Sequence, residues 1–202
     1  KRRIDKLDPS ISFFALYVVA KVDDRYLSPF DDANQIFYLE DSDNNLNFEG
    51  SLSEDKEPFK NLLITEIPNI QKEGYKTYNI YSLMSYNRCS DWALVKGQLV
   101  DKMLQKVKNI VGDYWQEVYF AEGATPKTFY RYTLNTNGAV YGFENTSDGY
   151  KGAKMENTTG IKNLFLGGHW TKPGGSVYNA MTSGYKAFEL AKDYLEKNFD
   201  NL

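Results

Sequence analysis

The residues best suited to chemistry lie in one glycine-rich stretch, residues 167–176, with the sequence GGHWTKPGGS. We predict a short buried strand before it, at 163–166, and an amphipathic helix beginning near Ser176 after it. The first amides of a helix lack intrahelical acceptors and carry the positive end of the macrodipole, so such a unit is a general site for anions and dipoles. The stretch could therefore hold a phosphate, a carboxylate or a flavin ring. Alternatively, its glycines could only form a tight strand-to-helix corner.

Three residues of this stretch have properties that suit a ligand site at the start of a helix. Gly174 and Gly175 would let ligand atoms reach the backbone, and Ser176 is a suitable N-cap. The stretch lacks both the GxGxxG spacing of a dinucleotide-binding turn and the GxxxxGK[ST] spacing of a phosphate-binding loop. The helix is predicted to pack through residues spaced by three and four: Val177, Ala180, Met181, Gly184, Ala187, Phe188 and Ala191.

Composition excludes several classes of protein. The chain of 202 residues has a net charge of −3, which gives no basic footprint for nucleic acid. The only cysteine, Cys89, and the only histidine, His169, offer no metal-binding cluster, and we expect no metal site. A single cysteine favours a reducing compartment, so we expect a cytoplasmic location. Aromatic residues make up 15 % of the chain, which suits either β-strands or a channel for a long apolar ligand.

The elements that would position this stretch can be predicted from periodicity and turn residues. Helical spacing predicts a long amphipathic helix over 91–111, N-capped by Asp91 and followed by Gly112. The acidic segment 40–47 is predicted to be a surface loop. Together these patterns predict an α/β (α+β) fold with a mixed or antiparallel sheet and a long packing helix. The predicted strands are 10–22, central in the sheet, then 36–39, 61–67 ending at Pro68, 75–86 and 118–120.

Residues 163–191, NLFLGGHWTKPGGSVYNAMTSGYKAFELA, resemble the C-terminal flavin motif of the phytoene desaturase family. That family includes carotenoid desaturases, carotene isomerases and retinol saturase-like reductases, within the amine-oxidase-like flavoproteins. An earlier segment, with the sequence ATP at 124–126 followed by Asn135, Gly138, Ala139 and Gly142, resembles the family's segment ahead of that motif. The resemblance is specific only in roughly the last eighty residues.

The resemblance implies a domain organisation and an activity. Residues 1–123 would be a substrate-binding domain, and 124–202 the C-terminal part of a Rossmann-like FAD-binding domain whose N-terminal part is absent from this sequence. The activity implied is hydride transfer between FAD and an apolar polyene, a carotenoid or retinoid. The portion present is expected to be inactive alone and not to retain FAD, because the GxGxxG element for the pyrophosphate is missing. Peripheral membrane contact is compatible with such a substrate.

The resemblance also implies which residues face the flavin, although it assigns no catalytic residue. His169 stands where many relatives have an acidic residue for the ribityl chain, and it could donate a hydrogen bond to a ribityl or phosphate oxygen instead. Trp170 could cover the flavin or fill the corner between strand and helix, and we favour the second. The implied cofactor-binding residues are Gly167, Gly168, His169, Trp170, Pro173, Gly174, Gly175, Ser176 and Val177.

Two alternative functions remain open from the sequence. The chain could be a non-catalytic module that binds an apolar ligand on its sheet. It could also belong to an amine-oxidising flavoenzyme. A GxGxxG turn upstream of residue 1, with an acidic residue about 20 positions later, would favour a flavoenzyme.

Overall fold

The computed structural model describes residues 7–30, 33–144 and 155–198, without the side chains of 69–71. Contacts divide the chain into two compact units, one formed by residues 12–138 and the other by residues 1–11 with 139–202. The predicted domain boundary at 123/124 lies at the end of a strand, whereas the contacts divide the chain between Gly138 and Ala139. None of the helices among the described residues has the length and apolar character needed to cross a membrane.

The first unit is built on a five-stranded sheet in which every neighbouring pair is antiparallel. The strand order is β2-β3-β4-β1-β5, which makes β1 an interior strand, as its long apolar run predicted. The sheet thus confirms the predicted fold class at the level of an antiparallel sheet with packed helices. The strands are β1 (Ser12–Val22), β2 (Gln35–Leu39), β3 (Asn61–Lys72), β4 (Tyr75–Met84) and β5 (Trp115–Ala124).

Four α-helices accompany the sheet. They are α1 (Asn44–Glu49), α2 (Trp92–Val111), α3 (Pro126–Thr133) and α4 (Val177–Asn198), of which α4 belongs to the second unit. The long helix α2 confirms its prediction: the Asp91 side chain accepts a hydrogen bond from the Ala93 amide, and Gly112 ends the helix at a φ of 57°.

The hydrophobic core of the first unit lies between α2 and one face of the sheet. Leu99, Met103 and Val107 of α2 are buried against alternate residues of the central strands. Leu16 and Ile80, which are paired across β1 and β4, are both fully buried. These contacts bury one face of the sheet.

The opposite face of the sheet is half-buried and largely apolar. An unbroken apolar row crosses four strands, because Phe37 pairs with Leu63, Leu63 with Tyr81, and Tyr81 with Ala15. Helix α3 contacts the face at one end, where the rings of Phe13 and Phe129 lie 6.5 Å apart. Phe13, Tyr17, Val19, Leu63 and Tyr81 are each only half-buried.

Several predicted elements of the first unit were wrong in extent or type. Pro68 does not end β3, because the pairing with β4 is irregular between Ile67 and Lys72 and tolerates a residue without an N–H. The predicted strand 118–120 is part of the longer β5. The predicted loop 40–47 already contains the start of α1, which Asp43 caps.

Helix α3 was not predicted at all. Thr125 and Thr128 form a capping box, and Pro126 occupies the first turn. These local signals outweigh the modest helix propensity of the residues that follow.

Candidate functional site

The glycine-rich turn 167–176 and the start of α4 form the candidate site, and both belong to the second unit. The predicted buried strand before the turn is wrong. Residues 163–166 form only an isolated bridge between Phe165 and Thr158, and Leu164 is 43 % exposed. The Leu166 amide donates to the Asn157 carbonyl at 2.9 Å, so a loop partner takes the place of a sheet ladder.

A buried polar cluster attaches the turn to the middle of α4. Asn157, Thr171 and Ser183 are each no more than 1 % exposed. The Asn157 Nδ2 donates to Ser183 Oγ and to the Leu166 carbonyl, both at 2.8 Å. The Gly168 amide donates to Ser183 Oγ at 3.2 Å, and Thr171 Oγ1 donates to the Gly168 carbonyl at 2.9 Å. These hydrogen bonds attach the turn to α4 in one conformation, and of the Asn157 side chain only Oδ1 lacks a hydrogen-bond partner among the described residues.

The segment 139–143 supports the turn from another side. A Cβ on Gly142 would collide with the His169 carbonyl, and a Cβ on Gly175 would collide with the Tyr141 carbonyl. These two glycines are therefore explained by backbone-to-backbone contact within the chain, without a ligand. The Trp170 ring packs edge-on against Phe143 at 4.7 Å, which favours the corner-filling interpretation of this tryptophan.

His169 is partly buried in the turn. Burial lowers its pKa below the usual 6.5, and a hydrogen bond with the Val140 backbone opposes that shift. The imidazole is therefore neutral at pH 7, which leaves one ring nitrogen as a donor and the other as an acceptor. A neutral imidazole suits a hydrogen bond to a ribityl hydroxyl better than an ion pair with a phosphate.

The start of α4 is open and capped as predicted. Ser176 Oγ accepts from the Asn179 amide at 3.1 Å, and the Ala180 amide makes the first helical bond, to the Ser176 carbonyl, at 2.9 Å. The amides of Val177 and Tyr178 have no acceptor within the helix itself. Their side chains are 81 % and 77 % exposed, so this end of the helix is accessible.

The predicted inward face of α4 is correct only in part. The helix packs through Ser183, which is fully buried, with Ala180, Ala187, Leu190 and Tyr194 partly buried beside it, so two of the predicted alanines do face inward. The larger residues predicted to face inward are instead exposed: Val177 at 81 %, Met181 at 71 % and Phe188 at 61 %. Tyr178, Tyr185 and Leu195 extend this exposed apolar face, which we call the α4 stripe.

The other residues predicted to bind the cofactor have different surroundings in the structure. Gly167 approaches the Gly184 Cα, because a Cβ added to Gly167 would lie 3.1 Å from it. Gly168 and Gly174 have φ of 113° and 96°, which side chains rarely adopt, whereas Pro173 is exposed. The turn thus brings all nine predicted residues into one segment. Sequence reasoning missed Asn157 and Ser183, whose roles depend on contacts across 26 residues.

Among the described residues, a ligand could approach at the start of α4 and at Gly168, and not throughout the turn. Accessible amides, the neutral His169 and the open position at Gly168, where a Cβ would meet nothing within 4 Å, could all receive a ligand. Gly142 and Gly175 face backbone, and Trp170 packs on Phe143.

Comparison with models of protein families found no match, and comparison with curated proteins found none either.

Proposed function

We propose that the chain belongs to an FAD-dependent oxidoreductase similar to the phytoene desaturase family, in which the start of α4 faces the flavin. The observation that carries the proposal is the accessible helix start, held in place by the Asn157, Thr171 and Ser183 cluster. FAD would supply the hydride chemistry. The residues of the turn and of α4 would position the FAD and place helix amides where negative charge develops when the flavin is reduced.

Four residues would hold the cofactor. The Val177 and Tyr178 amides would donate to its polar edge, and the free ring nitrogen of His169 would accept a hydrogen bond from a ribityl hydroxyl. Gly168 would allow close approach. Gly167, Trp170 and Gly175 would act indirectly, by keeping the turn against α4 and against residues 139–143, and Gly174 would act through its φ of 96°.

The α4 stripe supports the view that this chain is a portion of a larger protein. Helix α4 has apolar residues on two sides, yet only the side bearing Ser183 is packed. Exposed apolar patches of this kind mark surfaces that another protein part covers. In the proposed enzyme, the missing pyrophosphate-binding part of the FAD domain would cover it.

The half-buried face of the sheet supports an apolar substrate. The side chains of Phe37, Leu63 and Tyr81, which are paired in register across β2, β3 and β4, offer aromatic and aliphatic surface without a charged residue. A carotenoid or retinoid would bind such a surface by apolar contact alone. The same face is the observation that favours the second candidate, a non-catalytic module for an apolar ligand.

A charge placed at the start of α4 tests the flavin site. Val177→Asp puts a carboxylate beside the first amides, where it stabilises the helix and competes with the flavin for positive potential. We expect the longer protein carrying Val177→Asp to purify with at least ~10-fold less flavin, measured by visible absorbance, which corresponds to about 1.4 kcal/mol.

Two controls separate charge from shape and position. In Val177→Asn the side chain has nearly the same shape as aspartate but carries no charge. Thr182→Asp places the aspartate charge at an exposed position further along the helix. Both are expected to retain flavin. Equal flavin content in all three variants would refute the placement, and a colourless protein that binds retinoids would favour the non-catalytic module.

A further inference from the structure

A cleft lies on the α2 side of the first unit, between the loop residues 54–58 and the first three turns of α2. Its volume is about 360 Å³, which is within the range of small-molecule sites. The lining combines apolar side chains of α2, namely Trp92, Val95 and Leu99, with charged side chains of the loop and with Arg88. No residue of the turn 167–176 lines it, so the cleft is separate from the candidate flavin site.

Arg88 places a buried positive charge at this cleft. It is only 6 % exposed, and its guanidinium donates to the carbonyls of Gly50 and Lys56, the second at 2.7 Å. These bonds use two of its five N–H groups, and within the described part of the chain Arg88 forms no ion pair with a carboxylate. Burial lowers the pKa of Arg88, and the acidic groups around it only oppose that shift. A buried cation without a paired anion is costly, and an anionic ligand would compensate it.

The acidic residues of the loop leave room for such an anion. Glu57 is already paired with Lys102, whose Nζ lies 3.4 Å from the Glu57 Oε2. The Asp55 carboxylate accepts the Ser53 hydroxyl at 2.5 Å. Both acidic side chains are exposed, so solvent and salt screen their charges, whereas the charge of Arg88 acts in a less polar environment. The buried guanidinium therefore favours a negative charge on the ligand.

We propose that this cleft binds an amphipathic carboxylate, whose anionic head pairs with Arg88 and whose apolar tail lies along α2. A carboxylate can accept two parallel hydrogen bonds from a guanidinium, which sets both the charge and the orientation of the ligand. Trp92, Val95 and Leu99 supply the apolar wall for the tail. This inference does not depend on the flavin proposal, because the cleft lies wholly within the unit formed by residues 12–138.

The thiol of Cys89 provides a direct measure of whether the cleft is occupied. Cys89 lines the cleft and is the only cysteine of the chain, so its alkylation by the neutral reagent iodoacetamide reports on access to this site. We expect saturating 4-phenylbutyrate to slow the alkylation at least ~5-fold. The compounds 4-phenylbutylamine and 4-phenylbutanol carry the same apolar group with a cationic or neutral head, and should slow it less than about two-fold. No protection by the carboxylate, or equal protection by all three compounds, would overturn the proposal.

Two Gln→Trp variants of α2 test the position of the ligand. Gln98 lines the cleft, whereas Gln105 lies two turns further along the helix and outside it, and both are exposed. Gln98→Trp should abolish the protection of Cys89 by 4-phenylbutyrate, and Gln105→Trp should retain it. In Arg88→Met, protection should no longer distinguish the carboxylate from the alcohol. Protection that persists in Gln98→Trp would overturn the proposal, and this result stands even if Arg88→Met does not fold.

Discussion

The protonation of His169 can be measured without interference from another imidazole, because the chain has no other histidine. It lies in the turn, partly buried, beside Trp170 and in contact with the Val140 backbone. Its position does not require a cofactor, since burial and one backbone contact account for its state. A neutral side chain here is nevertheless compatible with the proposed contact to a flavin.

The pKa of His169 gives a prediction at the residue scale. Because burial lowers the folded-state pKa below 6.5, the unfolded chain binds the proton first as the pH falls. The fold should therefore lose stability as the pH drops below about 6.5, and gain nothing from this group at neutral pH. We expect an NMR titration of the single imidazole to give a midpoint below 6.5.

The His169→Gln variant provides the matched control. It should show a smaller fall in melting temperature between about pH 7 and pH 5.5, a window above the ordinary carboxylate range. An imidazole midpoint at or above the ordinary value would contradict the burial of His169.

Some residue roles could be predicted from the sequence and others could not. Ser176 as an N-cap follows from its type and its position before an amphipathic run, and the hydrogen bond to Asn179 confirms it. The need for glycine at 175 was predicted for a ligand, whereas the Tyr141 carbonyl already requires it. Glycine is required at 175 because a distant segment of the chain passes close to it, and such a contact cannot be predicted from residue types and spacing.

At the scale of elements, α2 and α4 show when the spacing of apolar residues is sufficient to predict which face of a helix is packed. Helix α2 has a single apolar stripe, so its packed face was predicted correctly. Helix α4 has two such stripes. The one that packs has alternating spacings of three and four and consists of Ala180, Ser183, Ala187, Leu190 and Tyr194. The prediction combined the small residues of this stripe with the larger residues of the other, and Gly184 and Ala187 allow the close approach of Gly167.

The packing of α2 gives a prediction with an internal control on the same helix. Met103 is fully buried against the sheet, whereas Leu94 is 77 % exposed. Met103→Ala should lower the free energy of unfolding by about 2–5 kcal/mol, because it leaves a cavity in the core. Leu94→Ala should change it by less than about 0.5 kcal/mol. Denaturant unfolding measures both, and similar losses in the two variants would contradict the assignment of the packed face.

At the scale of the whole molecule, the two units differ in how completely they are packed. The unit formed by residues 12–138 has a continuous core between α2 and the sheet. The unit formed by residues 1–11 and 139–202 holds its turn by a polar cluster and leaves the α4 stripe exposed. An exposed apolar helix face of this kind commonly marks a surface that another protein part covers.

The antiparallel sheet and its long helix could be predicted because their signals are local and repeated. Strand pairing order and the division at Gly138 could not, because they depend on contacts between distant segments. The same distinction holds for the site: the turn was found from its glycines, and the cluster that fixes it was not.

The visible absorbance spectrum of the purified longer protein, compared with that of this chain alone, tests the central claim most directly. If α4 closes a flavin site whose pyrophosphate half lies upstream, the longer protein should show flavin absorbance and this chain should show none. A longer protein that remains colourless after expression and purification with excess FAD would contradict the proposed function.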